Sequence, residues 1–197
     1  AVGLVAFALF RFVGDPVDNM LGQERTMEDI ARMREALGLN DPFFVQYLKF
    51  LGGAVQGEFG ISYRFARPVS ELIAERLPAT LELAFVSGLL AVVFGMFLGI
   101  FTAIRRGGWA ANAIMTVSLI GVSLPTFLIG IVLIWIFAVE LGWLPSFGRG
   151  DTVRVGGWET NFLTASGLRS LILPSITLGL YQMTLIMRLV RSEMLEV

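Results

Sequence analysis

The 197-residue sequence contains no cysteine and no histidine, and only 16% of its residues are charged. Without cysteine there is no disulfide and no thiol chemistry. Without either residue the usual zinc, copper and haem sites cannot be built, so no metal and no cofactor are expected. Serine–histidine and cysteine–histidine nucleophile pairs are excluded too, and no catalytic residue is expected. The formal net charge of −1 lacks the concentrated basic patch that nucleic acid requires. No glycine-rich phosphate cradle with its Lys and Ser/Thr occurs, so the chain does not hold ATP in that way.

The shortage of charge decides the class, because a soluble domain of this length needs more to cover its surface. In its place stand 55% hydrophobic residues and a mean hydropathy of +0.74. They are gathered into runs. From Ala79 to Ile104 the only charge is Glu82, and from Asn112 to Val139 there is none. A helix of about 20 apolar residues crosses the roughly 30 Å hydrocarbon layer. The expected fold is therefore an all-α integral membrane protein with spans at about 1–13, 79–104, 112–139 and 171–187. The run Ala1 to Phe10 is too short to cross alone. It lacks the small-residue cleavage site of a signal peptide and reads as the second half of a first span. Arg105 and Arg106 in the shortest loop, and Arg188 and Arg191 after the last span, belong on the cytoplasmic side by the positive-inside bias. Segment 14–78 and loop 140–170 then lie outside, where Trp143 and Trp158 suit the interfacial aromatic belt.

The outer segment carries helix punctuation. Thr26 fits a cap, and Ile30, Met33 and Leu37 form one apolar stripe that Gly38 closes as a left-handed cap. Asp41 is the expected cap of the next helix, with Pro42 at its first position and the apolar stretch Phe43 to Val55 after it. Pro68 opens a short helix from Val69 to Leu77, and Pro78 hands over to the first full span.

Within the spans, Pro125 in Ser123-Leu124-Pro125-Thr126-Phe127 predicts a kink. That kink is either structural, with nearby hydroxyls satisfying the freed carbonyl, or the lining of a path. Gly95 and Gly99 are spaced for close helix packing. Glu82 is placed one turn in from the outer end, favoured by water and the helix dipole. Arg11 is expected to snorkel outward. Tyr181, Gln182 and Thr184 should face protein or a cavity. Arg149-Gly150-Asp151 spells an adhesion tripeptide that chance accounts for.

These residues leave a receptor, a channel or an assembly subunit open. Further stretches narrow the choice by resemblance. Arg11 with Gly14-Asp15-Pro16, Leu37-Gly38-Leu39-Asn40-Asp41-Pro42 with Gln46-Tyr47, and Gly57-Glu58-Phe59-Gly60-Ile61-Ser62 are three of them. Leu77-Pro78-Ala79-Thr80-Leu81-Glu82-Leu83, the segment around Pro125, Leu141-Gly142-Trp143-Leu144-Pro145 and Leu171-Ile172-Leu173-Pro174-Ser175 follow, and Arg188 through Val197 completes the set. Together they resemble the permease subunits of bacterial and archaeal ABC importers for dipeptides, oligopeptides and nickel, in the dipeptide-permease B-type branch. Glu58 and Phe59 depart from the Asp and Leu usual there. The resemblance implies a type I ABC importer permease fold, here expected to be cut short at both ends. Residues 1–78 would hold part of a first span and an extracytoplasmic segment, and 79–197 the start of the transmembrane domain.

It also implies partners in a cytoplasmic membrane: a second permease subunit, two ATP-binding subunits that hydrolyse ATP, and an extracytoplasmic substrate-binding protein. Candidate path residues are Ser123, Pro125, Thr126, Phe127 and Gln182. Candidate binding-protein contacts are Asp41, Tyr47, Glu58 and Tyr63 within 23–63. The absence of His and Cys tilts the cargo toward peptides, since nickel would meet poorer ligands. A nickel permease and a non-transport sensor or assembly protein stay as alternatives.

Overall fold

A computed structural model describes residues 2–13, 26–36, 39–62, 64–65 and 67–196. The chain divides into two compact units, Ala1–Arg76 and Leu77–Val197.

The first unit holds helices α1 (Val2–Val13), α2 (Met27–Ala36) and α3 (Phe43–Val55) and a hairpin of β1 (Ile61–Ser62) with β2 (Arg67–Pro68). Its packing centre is aromatic. The ring of Phe7 in α1 lies 5.5 Å from that of Phe43 and 5.6 Å from those of Tyr47 and Phe50 in α3. The cap of α3 is one residue later than the sequence suggests. Pro42 takes φ −55° and ψ 145°, and its carbonyl accepts from the amides of Val45 and Gln46. The Asp41 carboxylate instead accepts from Lys49 Nζ at 2.6 Å. Proline has no side-chain acceptor, so α3 starts without a side-chain cap. Phe44, Leu48 and Val55 leave α3 exposed, which follows from a helix apolar nearly all round. The Ile30 and Met33 side chains, Leu37, Gly38, the Arg11 side chain, residues 14–25 and Tyr63 lie outside the described residues.

The chain enters the second unit within α4 (Val69–Ile104). This is one continuous helix, where the sequence suggested a short helix and a handover at Pro78. Pro78 removes a single amide, and the carbonyl it frees belongs to exposed Ala74, where water can donate the replacement bond. At 36 residues the helix is about 54 Å long, well beyond the bilayer core. Its last partner is α7 (Ala165–Glu196), which starts two turns before Leu171 and carries Pro174 inside. Thr164 caps it, its Oγ1 accepting from the Gly167 amide at 3.0 Å.

Helices α4 and α7 touch along glycines. A Cβ added to Gly179 would meet the Ser87 carbonyl at 3.0 Å, one at Gly95 would meet Ile186 at 2.9 Å, and one at Gly99 would meet Val190 at 2.8 Å. The partner numbers rise together, so the two helices run parallel. The packing reading of Gly95 and Gly99 therefore holds, with both buried. Thr102 and Thr184, also buried, turn their hydroxyls to carbonyls of their own helices.

Between these helices lie α5 (Trp109–Ser123) and α6 (Thr126–Ile134), with a π-helical turn, Trp135–Glu140, continuing α6. The sequence suggested one kinked span here. The two arms are instead bent by 106°. A parallel α4–α7 pair requires the chain to return across the membrane between them, so the bent pair makes that one crossing. The loop beyond carries a hairpin of β3 (Val153–Val155) and β4 (Trp158–Thr160). The architecture is thus the helical membrane fold expected, with two short hairpins added in its loops.

Candidate functional site

Two places in the second unit concentrate polar groups at membrane depth. The first is built on Glu82, which is 3% exposed. Its Oε1 accepts from the Trp158 indole at 3.1 Å, and its Oε2 accepts from the Asn161 amide at 3.0 Å. Neither water nor the helix dipole accounts for this carboxylate, which corrects the sequence reading. The helix begins at Val69, and a macrodipole fades within the first turn. The loop supplies the donors instead.

Asn161, 1% exposed, extends the network. Its Oδ1 accepts from Arg149 Nε at 2.6 Å, and its amide nitrogen donates to the Arg149 carbonyl. That carbonyl also accepts from Ser170 Oγ on α7 at 2.6 Å. Asp151 joins the same helix end, its carboxylate accepting from Ser166 Oγ at 2.6 Å. The Arg149-Gly150-Asp151 tripeptide is therefore tied at both ends, Arg149 to Asn161 and Asp151 to Ser166, while Gly150 and Asp151 stay exposed. A chain of hydrogen bonds runs from Glu82 of α4 through the loop to Ser170 near the start of α7 and joins the two parallel helices.

The second place is the break between α5 and α6. Pro125, at φ −57° and ψ 135°, caps α6, and its carbonyl accepts from the Leu128 and Ile129 amides. Ser123 Oγ donates back to the Leu119 carbonyl at 2.9 Å. Residues Ser123 through Leu128 are all exposed, Phe127 at 68%. Arm α6 rests on α7, where Gly130 faces Thr177. The break is thus uncovered on its other side, and backbone of this kind at membrane depth is tolerated only beside protein or a water-filled cavity.

The remaining suggested residues are scattered. Gln182 and Tyr181 are exposed on α7 while Thr184 is buried, and among the described residues no hydrogen bond joins Gln182 to the break. In the first unit, Asp41 is paired with Lys49, Tyr47 is half-buried against Phe7, and Glu58 is exposed. Nearby, Arg67 pairs with Glu75 at 2.6 Å and Glu71 at 3.2 Å. The Glu75 hydrogen bond, then that to Glu71, holds its guanidinium above the ordinary value. Between α4 and α7 a cavity of about 550 Å³, lined by Val86, Phe94, Phe162 and Met183 among others, is almost wholly apolar. Among the described residues no three acidic side chains come together to hold a metal. Asn161 escaped the sequence reading, and Arg149 entered it only within a tripeptide assigned to chance. Only the capping run Thr164-Ala165-Ser166-Gly167 signalled where the network attaches.

Known proteins fit this framework. Residues 95–197 match the family model of the binding-protein-dependent transport system inner membrane component. Residues 1–84 match the model of the N-terminal part of such membrane components. A glutathione transport system permease protein of Escherichia coli (strain K12) is 41% identical over 149 residues, covering 74% of this chain and 49% of the relative. Its counterpart in Salmonella paratyphi A is 42% identical over the same share. The chain spans about half the length of these curated relatives. With its helical spans and both family models matched in chain order, it belongs to the type I ABC importer permeases, in the dipeptide, oligopeptide and nickel branch.

Proposed function

We propose that the chain lines part of the path of an ATP-driven importer that carries short peptides across a bacterial or archaeal cytoplasmic membrane. The observation that carries this reading is the uncovered break at Ser123–Phe127. An exposed proline-capped turn between two membrane half-helices needs a wet cavity or a partner beside it, and a permease path with a second permease subunit supplies both. The relatives are named for glutathione, itself a small peptide, which favours peptide cargo over nickel. The lack of His and Cys points the same way. Ser123, Pro125, Thr126, Phe127 and Gln182 are the residues assigned to the path. ATP hydrolysis is assigned to two separate subunits on the cytoplasmic side. The extracytoplasmic segment 14–78 is assigned to contact with the substrate-binding protein, through Asp41, Glu58, Tyr63 and the edge of Tyr47.

The test is reconstitution of the full-length protein with its neighbouring gene products in liposomes. ATP-driven uptake of a labelled di- or tripeptide, dependent on the binding protein, is the expected result. Uptake of Ni²⁺ but not peptide overturns the cargo assignment. Failure to recover an ATP-binding subunit with the protein overturns the importer reading.

A further inference from the structure

Arg188 and Arg191 stand three residues apart on α7 and so share a face. Their depth follows from the helix pairing. Ile186 lies against Gly95 and Val190 against Gly99, and the same offset sets the two arginines level with Phe97 and Ile100. Both therefore lie in the cytoplasmic third of the apolar run Ala79–Ile104, short of Arg105 and Arg106. This differs from the sequence picture, in which they mark the end of the span. The Nε atom of each is buried and makes no hydrogen bond among the described residues. Neither arginine forms an ion pair with a described residue. Glu193 and Glu196 follow on the same helix at spacings of two and five from Arg191, off its face.

A cation held at this depth is costly unless paired, and intramembrane charges mark a partner. The forked donors of two guanidiniums fit a phosphate or a carboxylate. The surroundings favour phosphate from lipid. Leu185, Leu189, Phe97 and Ile104 are exposed around the pair, an apolar skin suited to acyl chains. Arg105, its guanidinium 5.3 Å from the Phe101 ring, and exposed Arg106 add the same sign at the rim. Basic pockets between helices on the cytoplasmic side are places where anionic headgroups settle.

We propose that Arg188 and Arg191 form a headgroup site for an anionic phospholipid of the cytoplasmic leaflet, its phosphate seated against both guanidiniums. The site is independent of the cargo. To test it, the full-length permease with its partner subunits is placed in phosphatidylcholine nanodiscs with graded phosphatidylglycerol, and native mass spectrometry counts the retained phosphatidylglycerol. The R188Q/R191Q variant should hold phosphatidylglycerol about tenfold more weakly than wild type. The R188K/R191K variant, which keeps both charges, should retain most of the binding and shows that the loss is not misfolding. Equal retention by wild type and the Gln variant overturns the proposal. Inorganic phosphate added to phosphatidylcholine nanodiscs separates the sources. If it raises thermal stability as much as phosphatidylglycerol does, the site takes a free anion and the lipid assignment fails.

Discussion

Replacing Glu82 by Ala leaves the Trp158 indole N–H and the Asn161 amide aimed at a void between α4 and the outer loop. The Asn161 amide is buried and costs about 1–3 kcal/mol when stripped of its acceptor, while the Trp158 indole, on a side chain that is 39% exposed, can turn to water, so a loss of about 2 kcal/mol is expected. It should appear as a lower thermal midpoint and faster proteolysis within 141–164. Gln at this position keeps one acceptor oxygen and should lose less; a Gln variant as weak as Ala would show that charge, not acceptor geometry, holds the loop. The Asp41–Lys49 pair makes the opposite case. Its contact is as short as any ion pair among the described residues, 2.6 Å, yet the two side chains are 36% and 68% exposed. Exposed pairs contribute little because water competes for both ends. Asp41→Asn should therefore shift stability by less than about 0.5 kcal/mol, measured on the same thermal scale. Distance alone does not rank these two carboxylates; burial does.

Among the elements, the α4–α7 pair depends on two missing side chains. Leu at Gly95 or Gly99 would drive a Cβ into Ile186 or Val190 at under 3 Å, and overpacking of this kind costs about 1–3 kcal/mol. A Cβ added at Gly88, on the same helix, meets nothing within 4 Å, so Leu there should not lower the thermal midpoint, and the three variants separate packing from hydrophobicity. The glycine spacing made this contact legible in the sequence, since a period of four on one helix is local information. The prolines show where local information stops. Pro78 and Pro125 each remove one amide N–H, yet α4 continues as helix through the first and the chain turns by 106° at the second. Ala74 faces water where Pro78 frees its carbonyl, while Pro125 sits as a cap with its own carbonyl turned into α6. Pro125→Ala restores the donor and should let α5 and α6 join. Spin labels at Trp109 and Val139 should then move farther apart, with uptake lost and the thermal midpoint unchanged or raised. The Glu82 network was invisible for a related reason: its hydrogen bonds join residues 76 and 79 positions apart, beyond any periodicity.

For the whole molecule, the parallel pair turns a question of topology into a question of labelling. If the positive-inside bias places Arg105 and Arg106 inside, both α4 and α7 run from the outer side inward, so 105–164 must carry the chain back out. A bent pair of half-helices could in principle enter and leave on one face. It does not do so here, because α7 would then start on the cytoplasmic side and run antiparallel to α4. The contacts of Gly95 and Gly99 with successive turns of α7 forbid that order. The loop hairpin agrees, since Trp158 reaches Glu82 in the outer part of α4, far from Arg105 and Arg106. The sequence itself makes the test clean, because it has no cysteine to react in the background. Single cysteines at exposed Arg106 and exposed Arg154 bracket the crossing. In intact cells a membrane-impermeant maleimide should label Arg154→Cys and leave Arg106→Cys unlabelled until the membrane is opened. Labelling of both from outside would mean that α5 and α6 do not cross, and the parallel pairing of α4 and α7 would fall with them. Labelling of Arg106→Cys alone would keep the crossing but invert the protein, and with it the outward placement of the Glu82 network.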